Sequence, residues 1–329
     1  MAFTIRTETR NKRTIYHLED KDSDSSASIL PSYGFNLFDL RLPVTGTPRR
    51  VIVAADDWAD NPRSAGRNGI PVLFPYPNRV RGGKFTFEGK TYDLPINNGP
   101  NAIHGFAIEA PWDVVDQGAS DKSAFLTGRF RISQNAPDML KHWPTDATLE
   151  IKYTLSPGRL SLDATVSNPT AHILPFGFGI HPYFKLPLDP KHDLAKCNVV
   201  IPASEYWVLN QFLPTGEHKP VDERLDFRHG QSLKGLKLDD VLTGLRFGDD
   251  RCACRLSDFP GGNIGLSFDR GFRELVVYTP PDAPGLISLE PYTQTTDAIN
   301  LQARGVDAGL RVLKHGEHAE LSIVIETTG

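Results

Sequence analysis

Residues that staple a chain or line metal and redox sites are scarce here: three cysteines and two methionines in 329 residues. An odd cysteine count in so long a chain argues against a disulfide framework, and Cys252-Ala-Cys254 lacks the two-residue spacer of redox and zinc pairs. On a strand Cys252 and Cys254 share one face, so they read as small buried hydrophobes. Excess charge is missing too. Lys and Arg number 36 against 40 Asp and Glu, a net charge of -4, which leaves no electrostatic footprint for DNA or RNA. No long apolar run occurs, and the first residues have no apolar core followed by a small-residue cleavage site. The expectation is a cytoplasmic protein with neither a membrane nor a nucleic acid as partner.

Long helical patterns are also lacking. The 28 Gly and 26 Pro are spread along the whole chain and favour short strands joined by punctuated loops. Short helical stretches are expected only near Asp138 to His142 and Leu238 to Leu245. The polar segment Asp20 to Ser28 reads as a surface loop. No linker, repeat or charge block divides the chain, so residues 1–329 are expected to form one domain.

What is present is period-two alternation. Leu149, Ile151, Tyr153 and Leu155 alternate with polar residues, and Ser156-Pro-Gly-Arg turns the chain into Leu160, Leu162, Ala164 and Val166. That pattern predicts an antiparallel hairpin. Phe85 and Phe87 face Tyr92 and Leu94 across Glu88-Gly-Lys; Glu274 to Tyr278 and Leu286 to Glu290 flank a proline-rich turn; Leu321, Ile323 and Ile325 mark a closing strand. The predicted class is all-β, a large antiparallel β-sandwich.

Ionisable groups set in apolar or tightly turning stretches mark the candidate site, because burying them is costly. His104 lies in Asn101-Ala-Ile-His-Gly-Phe, and His181 in Gly179-Ile-His-Pro-Tyr-Phe. A lone histidine of this kind reads as a satisfied core residue; two of them, with Glu290 in Leu289-Glu-Pro-Tyr, form an acid/base kit. Glycine on a strand admits a close approach, and the aromatic residues around His181 suit the flat face of a sugar ring. Alternation places Leu286, Ser288 and Glu290 on one face, which points the carboxylate into the sandwich and raises its pKa; a surface glutamate is the competing reading. Arg79, in Phe74-Pro-Tyr-Pro-Asn-Arg, offers a fork of donors for hydroxyl or carboxylate oxygens, or else binds loop carbonyls. Asp239 and Asp240 read by themselves as the acidic start of a short helix.

The run Gly69-Ile-Pro-Val-Leu-Phe-Pro-Tyr-Pro-Asn-Arg-Val, then Asn101-Ala-Ile-His-Gly, Pro175-Phe-Gly-Phe-Gly-Ile-His-Pro-Tyr-Phe, Leu238-Asp-Asp240 and Leu289-Glu290-Pro-Tyr resemble the aldose 1-epimerases, also called galactose mutarotases. The motifs occur in the family's order over roughly residues 30–325. The resemblance implies a single large β-sandwich and the interconversion of sugar anomers without a cofactor or metal. It implies His181 as the general acid for the ring oxygen and Glu290 as the base for the anomeric hydroxyl. His104, which joins the catalytic set, and Arg79 match positions that hydrogen-bond the sugar, Asn78 joins the substrate-binding set, and Asp240 matches a hydroxyl-binding aspartate. The implied partner is a small-molecule sugar, an aldohexose foremost, and the implied assembly a monomer or homodimer. Pro-Tyr-Thr-Gln after Glu290 departs from the better-known galactose enzymes, so galactose preference is not implied. Two other readings remain at this stage: a hexose-6-phosphate 1-epimerase, for which Arg79, Arg81 and Lys84 could serve the phosphate, and a non-catalytic sugar-binding or sensor protein. A zinc site made of His104, His181 and Glu290 lacks any short ligand spacing.

Overall fold

The structure, a computed structural model, describes residues 2–328. Alternating burial generates its strands. In Thr148–Ser156, Leu149, Ile151, Tyr153 and Leu155 are buried while the residues between them are not. The following turn, with Gly158 at φ 65, returns the chain as Arg159–Ser167 in antiparallel register, Leu155 opposite Leu160. The second expected hairpin also forms, Phe85 opposite Tyr92 with their rings stacked at 5.1 Å. Its turn residues Glu88 and Gly89 both have positive φ (48 and 77), the backbone sense that suits strand twist in a two-residue turn.

Among the described residues the strands form two large sheets of nine and thirteen strands, all paired antiparallel, with three small two-stranded pairs beside them, the Phe85–Tyr92 hairpin being one of the small pairs. The nine-stranded sheet contains the Thr148–Ser156 hairpin, the closing strand His318–Thr328 and the strand Arg251–Asp258. The centre of the larger sheet is the row Tyr183–Lys185, Leu286–Tyr292, Glu274–Tyr278 and Asp239–Leu245. Leu149 and Ile151 from one sheet and Leu275, Val277, Ile287 and Leu289 from the other share one apolar core, so the architecture is the expected all-β sandwich. Cys252 and Cys254 are buried on one strand face as free thiols.

Two local expectations are corrected. Asp239–Leu245 is a strand and not a helix, because Asp239 to Leu242 pair with Glu274–Tyr278 on one side while Ala203–Asn210 pairs on the other. Tertiary pairing overrides a short ambiguous run of this kind. The segment Asp20 to Ser28 is no loop either: only its centre turns, between the strands Arg13–Asp20 and Ser25–Leu30. Its acidic and serine residues serve that turn, since the buried Asp20 carboxylate accepts from the Asp22 N–H at 3.1 Å and the Ser23 hydroxyl at 2.6 Å. Pro137–His142 is helical as expected, as a single 3-10 stretch.

Removing side-chain volume from the shared core should cost much more than trimming the surface. Ile151→Ala should lower the unfolding free energy by about 2–5 kcal/mol. Val115→Ala, at an exposed bulge, should stay within about 0.5 kcal/mol. Urea denaturation followed by fluorescence checks both.

Candidate active site

Strand alternation divides the larger sheet into two working faces. On Leu286–Tyr292, Ile287 and Leu289 join the shared core, so Ser288 and Glu290 face the opposite way. Glu290 is therefore sheltered from water, at 1% exposure, but away from the sandwich interior. Cross-strand partners extend that face into a row: Tyr183 opposite Ser288, Ser288 opposite Tyr278, and Tyr278 opposite Asp239. Glu290 sits one step along the same face, opposite Val276.

A cavity of about 270 Å³ opens over this row, close to the lower end of the usual range for small-molecule sites. Its walls carry Arg67, Asn78, Arg79, His104, His181 and Glu290, together with Asp239 and the rings of Tyr183 and Tyr278. A larger cavity of about 580 Å³ adjoins it through Asp239 and Tyr278, but its wall is mainly leucine and proline and brings no histidine or second carboxylate. The histidines and Glu290 converge on the smaller one.

His181 follows the short strand Gly179–Ile180, and its Nε2 stands 3.1 Å from Glu290 Oε1. The other Glu290 oxygen accepts a short hydrogen bond from the Tyr292 hydroxyl. Gly179 makes room for that bond: it is the cross-strand partner of Tyr292, and a Cβ there would lie 2.3 Å from the Tyr292 ring. The close approach expected at the strand glycines is thus made by a tyrosine ring of the same sheet. Tyr183 stacks on the His181 imidazole with centroids 4.6 Å apart, its hydroxyl 3.3 Å from Nε2. Phe176, Phe178 and Phe184, the other aromatics of that run, are wholly buried in the core and do not reach the cavity.

His104 approaches from a different segment, its ring edge-on to His181 at 5.7 Å. Its backbone is left-handed (φ 69), and the next residue must be glycine: a Cβ on Gly105 would lie 2.2 Å from the Phe74 carbonyl oxygen. The main-chain N–H of His104 donates to the Asn78 carbonyl, while the Asn78 side-chain oxygen accepts from the Arg79 guanidinium at 3.1 Å. Asn98 accepts from Arg79 Nε at 3.0 Å. Side-chain amides therefore hold Arg79 at the cavity wall; among the described residues no carboxylate is within ion-pair distance of it, and its charge acts on Asp239 and Glu290 from further off. Phe212 lies beneath the guanidinium at 4.9 Å.

Electrostatics follow from burial. Desolvation, then the nearby Arg79 charge, push His104 down to about 3, so this imidazole is neutral. Burial drives His181 well below its ordinary value, assisted by His104. Burial drives the Glu290 carboxyl well above its ordinary value, partly offset by the Tyr292 hydroxyl bond. Asp239 is also raised, again mainly by burial. Among the described residues no set of three or more His, Cys, Asp or Glu side chains is placed to hold a metal ion.

The structure thus brings His181, Glu290, His104, Arg79 and Asn78 to one cavity and leaves Asp240 out of it. Asp240 lies on the other strand face, opposite Val277, where both its oxygens are taken by Arg224 at 2.7 and 2.9 Å. Its neighbour Asp239 lines the cavity instead. No local feature distinguishes the aspartate that faces the cavity, because that depends on pairing Asp239 with Tyr278. Arg67, Ser288, Tyr183 and Tyr278 are further residues at or behind the cavity that no local sequence pattern marks. The last three follow once the register is known, and Arg67 comes from an exposed loop where it pairs with Asp282 at 2.7 Å.

A family model described as aldose 1-epimerase matches residues 16–326 of the chain. The maltose epimerase of Levilactobacillus brevis is 32% identical over 226 residues, covering 64% of this chain and 60% of that protein. The galactose mutarotase of Sus scrofa is 31% identical over 151 residues, 44% of this chain and 40% of that protein. These curated relatives are therefore spanned for less than two thirds of their own length. A solved galactose mutarotase-like protein from Clostridium acetobutylicum superposes with a TM-score of 0.87 at 21% identity, covering 100% of this chain and 99% of that one, which shows a common fold. No helix among the described residues is long and apolar enough to cross a membrane. With its two-sheet architecture and a family match over nearly the whole chain, the protein belongs to the aldose 1-epimerase family.

Proposed function

We propose that the protein is a mutarotase that interconverts the α and β anomers of a free aldose, with His181 as acid and Glu290 as base. The observation that carries this reading is the 3.1 Å approach of His181 Nε2 to Glu290 Oε1 on the wall of a sugar-sized cavity. Opening a cyclic hemiacetal breaks the bond from C1 to the ring oxygen. A proton must leave the anomeric hydroxyl while another reaches the ring oxygen. Glu290, as carboxylate, takes the first; His181, as imidazolium, gives the second. Rotation about the bond from C1 to C2 exposes the other carbonyl face, and the reverse transfers close the second anomer.

Proton bookkeeping makes the buried pair suited to this cycle. Before opening, the pair is imidazolium and carboxylate; after opening, it is imidazole and carboxylic acid. Both forms hold one proton and no net charge, so neither leaves an uncompensated charge in the low-dielectric cavity. No hydride, electron or phosphoryl group moves, so the reaction calls for no cofactor. Around the reacting centre, Arg79 braced by Asn78 and Asn98 donates to sugar oxygens, neutral His104 contacts the ring side, and Asp239 accepts from a hydroxyl. Free sugar is favoured over a sugar phosphate because Arg67, the other cation on the wall, is already neutralised by Asp282.

Glu290→Gln keeps the shape and removes the base; it should cut kcat roughly a hundredfold to ten-thousandfold while sugar binding persists. Polarimetry on freshly dissolved sugar, with calorimetry for binding, measures both, and a near-normal rate in the variant takes Glu290 out of the mechanism. Asp239→Asn should raise KM at least about tenfold, whereas Asp240→Asn, whose side chain lies outside the cavity against Arg224 and the Asp239 main-chain N–H, should leave both constants within about twofold. Equal losses in the two variants would overturn the assignment of Asp239 to the sugar.

The pH profile tests the one-proton pair. As pH falls, the pair takes up a second proton and Glu290 can no longer accept; as pH rises, it loses its only proton and His181 can no longer donate. Burial lowers the imidazole and raises the carboxyl, which pushes these two limbs apart. The rate should therefore be bell-shaped with a plateau wider than two groups of ordinary pKa would give. A rate that rises or falls in one direction only would contradict the pair.

A further inference from the structure

Behind His181, on the side away from the cavity, lies a hydroxyl to which the reaction above assigns no role. Ser288 is wholly buried, and its Oγ stands 2.8 Å from His181 Nδ1 and 2.8 Å from the Pro182 carbonyl oxygen. A serine hydroxyl has one proton to give, and a backbone carbonyl can only accept. The Ser288 proton therefore goes to an acceptor-only group, the Pro182 carbonyl at 2.8 Å or the Glu290 carboxylate that it also reaches, and the oxygen is left to accept a hydrogen bond from His181. Nδ1 must then carry a proton.

We propose that Ser288 is a positioning residue that holds His181 in the Nδ1–H tautomer, so that Nε2 is the nitrogen that trades a proton with Glu290 and substrate. This rests on the mutarotase reading for its consequence, but the tautomer itself is a property of the resting protein. The opposite tautomer would set a lone pair against the Ser288 oxygen, unless the serine gave up its bond to Pro182. It would also turn a fixed Nε2–H toward Glu290, and the neutral, ring-opened state could not place its proton on the carboxyl. With Nδ1–H fixed, both halves of the cycle use the same nitrogen and the ring need not flip.

The surrounding strands explain why the hydroxyl can serve as a fixed reference. Ser288 lies in the middle of the central row, opposite Tyr183 on one neighbouring strand and Tyr278 on the other. Tyr183 stacks on His181 and Tyr278 meets it edge-on at 6.0 Å, so the imidazole is held from the face, from the edge and, through Ser288, at one nitrogen. Pro182 directly follows His181, so the carbonyl that orients the serine moves with the histidine itself.

The test is a two-bond proton–nitrogen correlation spectrum of the ¹⁵N-labelled protein, with the His181 signals identified by their loss in His181→Asn. Wild type should show Nδ1 protonated at every pH, with Nε2 the only nitrogen whose shift titrates. In Ser288→Ala the neutral ring should populate both tautomers, and kcat should fall roughly ten- to a hundredfold, the scale of one hydrogen bond to a charged group, with KM changed by less than about threefold. Ser288→Thr, which restores the hydroxyl on a β-branched residue suited to a strand, should recover most of the rate. A wild-type spectrum with Nε2–H and bare Nδ1 would overturn the proposal, and so would a folded Ser288→Ala protein with unchanged tautomer or unchanged kcat. If the alanine variant does not fold, the wild-type spectrum still decides the tautomer. Protonated Nδ1 in a protein that accelerates no sugar would uphold the tautomer lock and remove the mutarotase reading instead.

Discussion

A carboxyl and an imidazole buried 3.1 Å apart, as Glu290 and His181 are, can hold one proton between them at little electrostatic cost, but hold two or none only with a charge left in a poorly solvating site. Much of the local structure maintains that arrangement. Tyr292 ties down the far oxygen of Glu290, and Gly179 leaves space for its ring. Tyr183 covers the imidazole, Ser288 occupies its back nitrogen, and His104, kept neutral by burial and Arg79, adds no competing charge. Each of these contacts is polar or closely packed, and together they hold both groups near one another with fixed partners in place of bulk water.

The sheet makes such a site compatible with stability because a strand separates its two tasks by parity. Leu275, Val277, Ile287 and Leu289 close the sandwich core. Their neighbours Val276, Tyr278, Ser288 and Glu290 turn the other way and floor the cavity or back its histidine. Substitutions that tune the cavity can therefore leave the core untouched, whereas a one-residue slip in the pairing of Leu286–Tyr292 would exchange the two sets and destroy both.

How much of this could be read from the sequence depended on how local its cause is. The hairpin at Ser156-Pro-Gly-Arg and the buried face of Thr148–Ser156 follow from alternation and turn chemistry within twenty residues, and both formed as expected. His104, His181 and Glu290 stood out because each is an ionisable group in an apolar or turning context, and the fold brings them together. Asp239 could not be distinguished from its neighbour Asp240, since the choice is made by register with Tyr278, forty residues along the chain. The same distance hid the strand Asp239–Leu245, whose partners on both sides come from elsewhere. Arg67 gave no signal at all, being a loop cation placed by tertiary structure. Motif resemblance points to the family, whereas the cavity wall depends on strand register and tertiary placement that no local motif carries.

Whether the one-proton pair opens sugar rings is decided most directly with the wild-type protein and a polarimeter. Freshly dissolved α-D-glucose, α-D-galactose and maltose should each be followed to equilibrium with and without enzyme, beside glucose 6-phosphate. The account predicts a faster approach to an unchanged final rotation for at least one free sugar, and a smaller effect or none for the phosphate. No acceleration of any free sugar, or acceleration confined to the phosphate, would contradict it.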